Sequence, residues 1–593
     1  MVNLRRFQQS IQESSQNVQV LSLNVQANMV HAERPRSQFE IMVRHLFDRM
    51  LNNEAFGEEA ATRMTQLALA IALPGVLVAL FLFAAYHQPN HHTRDLWSQT
   101  ADHMFYVTYA FVIMGMAIVF QWEMLFPDLL DVYVLTSLPI PRLRLLLGRI
   151  TALAIFLGLV QIETSGLGNI FFPGVADLKT GFFRHVFAHA AGVTMAGLFA
   201  ATFFIALQGL LVCLPARISA KVSSTVKIAS IIALLTVLFL FPLVAHSVEK
   251  LLAMQSTAVH WYPPFWFLGI YETVLYGRTA LPIFHQLART GLTVTAALAT
   301  IGALLYPLAY TRRVRQLIEG AGIQKGSNSF AKLLHHLLHA TILRTPRARA
   351  IFHFAAQTLA RLQRLHLYLA MYAGAGLAFV LSGLTLFQTD GDRLHVVVSP
   401  NGVRIAIPVL AFWIIAGLRT ALQSPLGTKG SWIFRVIGGQ PAQEELRATE
   451  LLVDVISLTL TLAAVLILHF IAPPEMRTPL AAAAQVVLAI GLCLLLTDLA
   501  FLFTRSLPFT IARKRSTREL PITLVQYFVL FPFFCLKVVE NEPWIEASPV
   551  HLLKTAIFFA IAHATLRWVR TLVLRSEEPA DEGIFLGLGL REQ

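Results

Sequence analysis

Runs of about twenty apolar residues, each long enough to cross a ~30 Å hydrocarbon core as a helix, alternate with short polar connections along most of the chain. They lie near 64–86, 104–122, 145–165, 186–213, 228–246, 287–310, 367–387, 404–422, 450–471, 480–504, 521–539 and 552–571. The pattern predicts twelve transmembrane helices. Residues 1–60 differ: Gln, Asn and Ser are scattered through positions 8 to 28, and the basic-then-apolar start of a cleaved signal peptide is missing. That stretch predicts a disordered tail of about 35 residues. From Phe39 the spacing turns helical, with Ile41, Met42, Leu46 and Met50 set against His45 and Arg49. It predicts an amphipathic helix lying on the membrane surface, broken near Gly57, Glu58 and Glu59.

Composition agrees with lipid as the solvent. Residues are 56% hydrophobic and 14% charged, where a soluble domain carries about 25% charged. Cys213, Cys493 and Cys535 sit singly in apolar runs, so neither a disulfide framework nor a Cys-based metal site is expected. Lys and Arg number 47 against 34 Asp and Glu, and the placement of that excess decides its meaning. With the N-terminus inside, the inner connections hold 35 of the Lys and Arg residues and the outer ones 8. Positive loops are retained on the cytoplasmic side, so both termini are expected there, in a cytoplasmic membrane. The charge is then a topology signal facing anionic lipid, and no nucleic-acid partner is expected.

The basic connection 311–366 divides the runs six and six. Within it, FAKLLHHLLHATIL sets four leucines against Lys332, His335, His336 and His339, as an interfacial helix would. Two turns in matching positions of the halves align at an offset of 293 residues: LPARISAKVSS from Leu214 and LPFTIARKRST from Leu507. Leu, Pro, Ile, Lys and Ser recur in register. The expected fold class is therefore all-α: a polytopic membrane protein of about 12 transmembrane helices in two six-helix repeats. Its expected divisions are a tail and surface helix (1–63), a first unit (64–310), the linker (311–366), a second unit (367–571) and a C-terminal tail (572–593).

The connection from Trp122 to Arg149, WEMLFPDLLDVYVLTSLPIPRLRLLLGR, carries charges and prolines between two spans. A short helix fixed by Pro127 at one end and by Pro139 and Pro141 at the other would act as a lever when pushed. Leu138-Pro139-Ile140 followed by Leu145-Leu146-Leu147-Gly148-Arg149 resembles the LPI…LLLGK segment of ABC-2-type exporter permeases, with Arg149 where that family often has Lys. Leu46-Phe47-Asp48 with Asn53-Glu54, and PPFWFLGIYE from Pro263, resemble segments of poorly characterised bacterial ABC-permease-like proteins. The resemblance implies a surface helix before the first span and an elbow helix (Asp128 to Arg144) that docks a separate ATP-binding cassette subunit. It makes Asp128, Asp131, Pro139, Arg142, Arg144 and Arg149 the docking candidates, and implies a re-entrant or interfacial hairpin at HWYPPFWFLGIYE. By composition alone that segment also reads as an ordinary aromatic belt, and the basic residues as obeying the topology rule alone.

No GxxxxGK[ST] loop is present, and Gly427-Thr428-Lys429-Gly430 lacks phosphate-cradling spacing. No ATPase, cofactor or catalytic residue is expected in this chain. Ionisable residues within spans are costly and often functional. Of Glu163, His189, Asp454, His469, Asp498, Lys537 and His563, the deepest are His189 and Asp498, the candidates for a transport pathway. His87, His91, His92 and His103 crowd one outer loop without a metal-binding spacing, and no paired carboxylates facing one site are apparent. A permease subunit of an ABC-type exporter is the leading reading. A 12-helix secondary transporter and a membrane enzyme or assembly scaffold stand as alternatives.

Overall fold

The computed structural model describes residues 37–51, 60–87, 94–135, 138–176, 181–254, 256–318, 343, 345–390, 393–424, 443–504, 506–509 and 530–575. Among them, ten helices are long and apolar enough to cross a membrane. Each coincides with one of the twelve expected runs, and the chain is a multi-pass helical membrane protein. In order, the first part contains α1 (Gln38–Leu51), α2 (Ala60–Tyr86), α3 (Leu96–Phe120), α4 (Leu129–Leu135), α5 (Arg142–Ser165) and α6 (Gly168–Val175). It continues through α7 (Phe182–Val212), α8 (Ala216–His246), three short helices α9 (Val248–Ala253), α10 (Thr257–Trp261) and α11 (Pro264–Tyr276), and α12 (Pro282–Ile318). The second part holds α13 (Pro346–Arg361), α14 (Gln363–Leu384), α15 (Pro400–Leu422), α16 (Gln443–Ile471), α17 (Pro479–Phe501), α18 (Phe531–Glu546) and α19 (Pro549–Arg575). The first expected run corresponds to α2, apolar from Ile71 to Tyr86 among its described side chains. Most of the eleventh lies outside the described residues, and its end runs into α18.

Helix α3 is the axis of the first part. Of its apolar window 78% is buried, against 6% for α19 at the periphery. Helices α7, α8 and α11 pack around α3, in a core that includes Val107, Phe111, Phe199, Phe204, Ile231 and Leu234. A second core gathers α13, α15, α16 and α17, with Val403, Ile407, Val453 and Leu488 fully or almost fully buried. The two parts meet where α8 packs on α14: the rings of Phe239 and Phe379 lie 4.1 Å apart, and the Ser382 hydroxyl donates to the Phe239 carbonyl at 3.0 Å.

Three expectations are amended. To the all-α bundle, which stands, the structure adds an antiparallel hairpin in an expected outer connection, β1 (Thr385–Asp390) and β2 (Arg393–Val398), paired from Thr385↔Val398 to Asp390↔Arg393. Its runs, TLFQTD and RLHVVV, are rich in β-branched and aromatic residues and flank Gly391-Asp392 in the sequence, a strong hairpin signal. Second, the expected elbow helix is shorter: α4 covers only Leu129–Leu135, and Arg142 already belongs to the span α5. Third, the aromatic segment before α12 is not a belt at the lipid boundary. Phe265, Phe267, Leu268 and Tyr271 are at most 1% exposed, whereas Trp261 is 81% exposed. Helix α11 packs between α3, α7 and α12, with Gly269 at its tightest crossing, where a Cβ would sit 2.7 Å from Leu287 Cβ and 2.8 Å from the Phe284 carbonyl oxygen.

Of the repeat, only Leu507, Pro508 and Phe509 in the second window are described. Phe509 donates its backbone N–H to the Leu422 carbonyl at the end of α15 (2.8 Å). The linker helix with His335, His336 and His339, and nearly all of the second elbow (423–449) before α16, lie outside the described residues.

Candidate functional site

The elbow follows α3, whose end is fastened from three directions. The Gln121 side-chain amide donates to the Met50 carbonyl of α1 (2.9 Å), Trp122 Nε1 to Ser223 of α8 (2.9 Å), and Gln208 of α7 to the Trp122 carbonyl. Tyr306 of α12 donates to the Leu125 carbonyl. At the start of α4, Asp128 and Asp131 cap each other's backbone N–H groups, the Asp131 N–H meeting Asp128 Oδ1 at 2.7 Å and the Asp128 N–H meeting Asp131 Oδ2 at 3.3 Å. Arg49 of α1 forks across both carboxylates, and Arg149 of α5 closes on the far side of Asp131. Two arginines and two aspartates thus lock three helices at one point. Partial burial acts to raise the Asp128 pKa, yet the Asp131 N–H and the Arg49 guanidinium hold the carboxyl below its ordinary value.

The apolar side of α1 completes the lock. Met42, Leu46 and Met50 are buried, and α1 lies against α5 at Gly148, where a Cβ would come within 2.2 Å of Met42 Cε. The expected surface helix is therefore built into the fold. The six docking candidates divide accordingly: Asp131 and Arg149 face inward and are 7% and 4% exposed, Asp128 is half-buried, and Pro139, Arg142 and Arg144 are exposed. Arg149 is thus withdrawn from any partner or lipid phosphate.

Inside the elbow lies a cavity of about 550 Å³, walled by the elbow turn, α7, α8, α12 and α14. It spans the seam between the two parts of the molecule.

The two expected pathway residues fall in separate networks. His189 and His185, one turn apart on α7, approach the Tyr271 hydroxyl of α11 at 3.2 and 2.9 Å. A phenol can donate to one imidazole and accept from the other. The neighbouring Glu272 meets His103 Nδ1 at 2.6 Å, and the His103 ring stacks on Tyr271 at 4.2 Å. His103 Nε2, His185 Nδ1 and His189 Nε2 are buried with no hydrogen-bond partner among the described residues. At the rim, Arg94 binds Asp102 through two bonds of 2.6 and 2.8 Å.

Asp498 of α17 meets His563 of α19 at 2.5 Å and Arg567 at 3.1 Å. Arg567 continues to Glu450 of α16 at 3.2 Å, and Arg570 also pairs with Glu450. Asp454 stands one turn further along α16 and is 6% exposed. Sequence reading found no convergent carboxylates; here Glu450, Asp454 and Asp498 converge beside Arg567 and Arg570, which pair with Glu450 and Asp498. The signal was E450-x3-D454 on one helix and H563-x3-R567-x2-R570 on another, each placing its members on one helical face. His185-x3-His189 carried the same signal in the first part. Tyr271 and Glu272 stood within the quoted PPFWFLGIYE segment without a role.

Other marked residues are peripheral. His87 stacks on Phe83 at 4.3 Å, His91 and His92 lie outside the described residues, Glu163 is exposed, and Lys537 pairs with Glu540 at 2.7 Å. No group of three or more His, Cys, Asp or Glu able to hold a metal ion is present among the described residues. No protein-family model, curated protein or solved structure matches this chain. The resemblance to ABC-2 permeases rests on its short motifs.

Proposed function

We propose that the chain is the membrane-embedded, non-enzymatic permease subunit of an exporter, driven by ATP hydrolysed on a separate subunit. In this reading it comprises two six-span units in a cytoplasmic membrane with both termini inside. The supporting observation is the elbow lock. A partner pressing on α4 would push, through Asp128 and Asp131, on α1 and α5 together, because the ion pairs leave little slack between them. The exposed segment beside it, with Pro139, Arg142 and Arg144, offers a basic face on which such a partner docks. Affinity purification of the tagged chain from its native membranes in mild detergent tests this. ATPase activity is expected to co-purify and to be lost with R142E/R144E. A chain that purifies without ATPase, or an association indifferent to that charge reversal, overturns the reading.

The buried His103–Glu272 pair and the half-buried Asp498–His563 pair favour a second reading, a proton-coupled secondary transporter, since intramembrane carboxylate–imidazole pairs are suited to proton relay. ATP-independent proton uptake by vesicles containing the chain alone would move the balance to it.

A further inference from the structure

The cavity behind the elbow changes character along its length in a way that specifies a ligand. On α8 its wall includes Ser219, Ser223, Lys227 and Ile231, spaced by four and therefore stacked on one helical face, with Ser224 and Ile228 beside them. Together they cover about 18 Å at 1.5 Å per residue. Hydroxyls lie at the elbow end, a cation follows, and an aliphatic side chain closes the series. Of the opposing helices, α14 repeats the gradient with His366 and, one turn deeper, Ala370, while α12 contributes Arg313 and Gln316 together with Leu317 near its elbow-side end. One end is thus rich in hydrogen-bond donors and the other is apolar.

Charge balance sharpens this. Glu123 and Asp128 also border the cavity, but Glu123 is paired with Lys227 at 3.1 Å and Asp128 with Arg49. Arg313 is half-buried and, among the described residues, has no carboxylate partner. It is the cation left for a ligand. The Ser219 and Ser224 hydroxyls of α8 and the Gln316 amide of α12 line the same cavity and add neutral donors. A guanidinium facing hydroxyl and amide donors across one cavity suits an anion with several acceptor oxygens, a phosphate above all.

We infer that this cavity binds a phosphate-bearing ligand, with the phosphate at Arg313, Ser219 and Gln316, and that its apolar end makes an amphiphile such as a phosphate-headed lipid the fitting form. The site touches Trp122, Phe126 and Pro127 of the elbow, so an occupant bears directly on the segment locked by Asp128 and Asp131. Binding is a property of this chain and does not require an ATPase partner, so it stands or falls separately from the exporter reading.

The test uses the full chain in an uncharged maltoside detergent, with thermal unfolding and native mass spectrometry as readouts. The probes are dioctanoyl phosphatidate, dioctanoylglycerol with the same tails and no phosphate, and inorganic phosphate. Phosphatidate is expected to bind saturably and raise the melting temperature, dioctanoylglycerol to bind at least tenfold more weakly, and R313Q to lose at least tenfold in phosphatidate affinity. R313K should recover part of it, and R312Q, on the exposed neighbour, should stay within twofold. Equal binding of inorganic phosphate and phosphatidate, both sensitive to R313Q, would support the phosphate site and assign it to the free anion. No saturable binding, equal binding of dioctanoylglycerol, or an R313Q chain that melts normally and binds phosphatidate unchanged would overturn the inference.

Discussion

At the scale of single residues, the most consequential is Asp131. Its carboxylate is the junction between an arginine on α1 and another on α5, and Arg149 is 4% exposed. Removing one member of a buried ion pair leaves the other without compensation, which costs about 3–5 kcal/mol, whereas replacing a pair by apolar residues is often neutral. Asp131→Ala is therefore expected to lower the melting temperature of the detergent-solubilised chain markedly. The double variant Asp131→Leu/Arg149→Met should recover much of that loss. A single variant as stable as wild type would show that Arg149 has another neutralising partner. The same residue shows why sequence reading turned Arg149 outward. Counting basic residues by loop treats each as solvated, and burial becomes visible only when a carboxylate 18 residues away is known to meet it.

At the scale of elements, the spans were legible because lipid demands a long apolar run and little else interrupts one. The hairpin was not, because its first strand begins inside the apolar run 367–387 and its second, RLHVVV, fell in an outer connection read for its charge. The networks escaped for a related reason. His189 and Asp498 stood out by depth, while His185, Glu450 and Arg567 become meaningful only as members of i, i+4 pairs on apolar helices. Helix crossings depend on space that hydropathy does not report. Gly269 of α11 meets the backbone of α12, so Gly269→Ala should cost about 1–3 kcal/mol by overpacking. Gly158 of α5 has nothing within 4 Å of a Cβ, and Gly158→Ala should be neutral or gain up to about 1 kcal/mol from helix propensity. Paired melting curves check the contrast, and equal effects would mean that α11 shifts readily against α12.

For the whole molecule, the distribution of charge predicts an orientation that labelling can examine. With Cys213, Cys493 and Cys535 replaced, a cysteine at Arg278, an exposed position between α11 and α12, should react with a membrane-impermeant maleimide in intact cells. One at Arg312, exposed near the other end of α12, should react only after permeabilisation. Reversed labelling would invert the orientation and move the elbow, its cavity and any partner to the opposite face. The seam between α8 and α14 gives this scale its other feature: the cavity behind the elbow is enclosed by both parts of the chain, so neither part alone completes it.

The lock at the elbow also bears on how the protein is made. Arg49 precedes Asp128 and Asp131 by 79 and 82 residues, and Arg149 comes later still. During synthesis α1 emerges with Met42, Leu46 and Met50 uncovered, and at chain growth of roughly 5–20 residues per second several seconds pass before its partners exist. Over that interval the bilayer surface is the natural holder of its apolar face, and α1 passes from lipid to protein only once α5 is in place. The helix that looks like a membrane anchor in the sequence is then an anchor for a few seconds, and afterwards a strut.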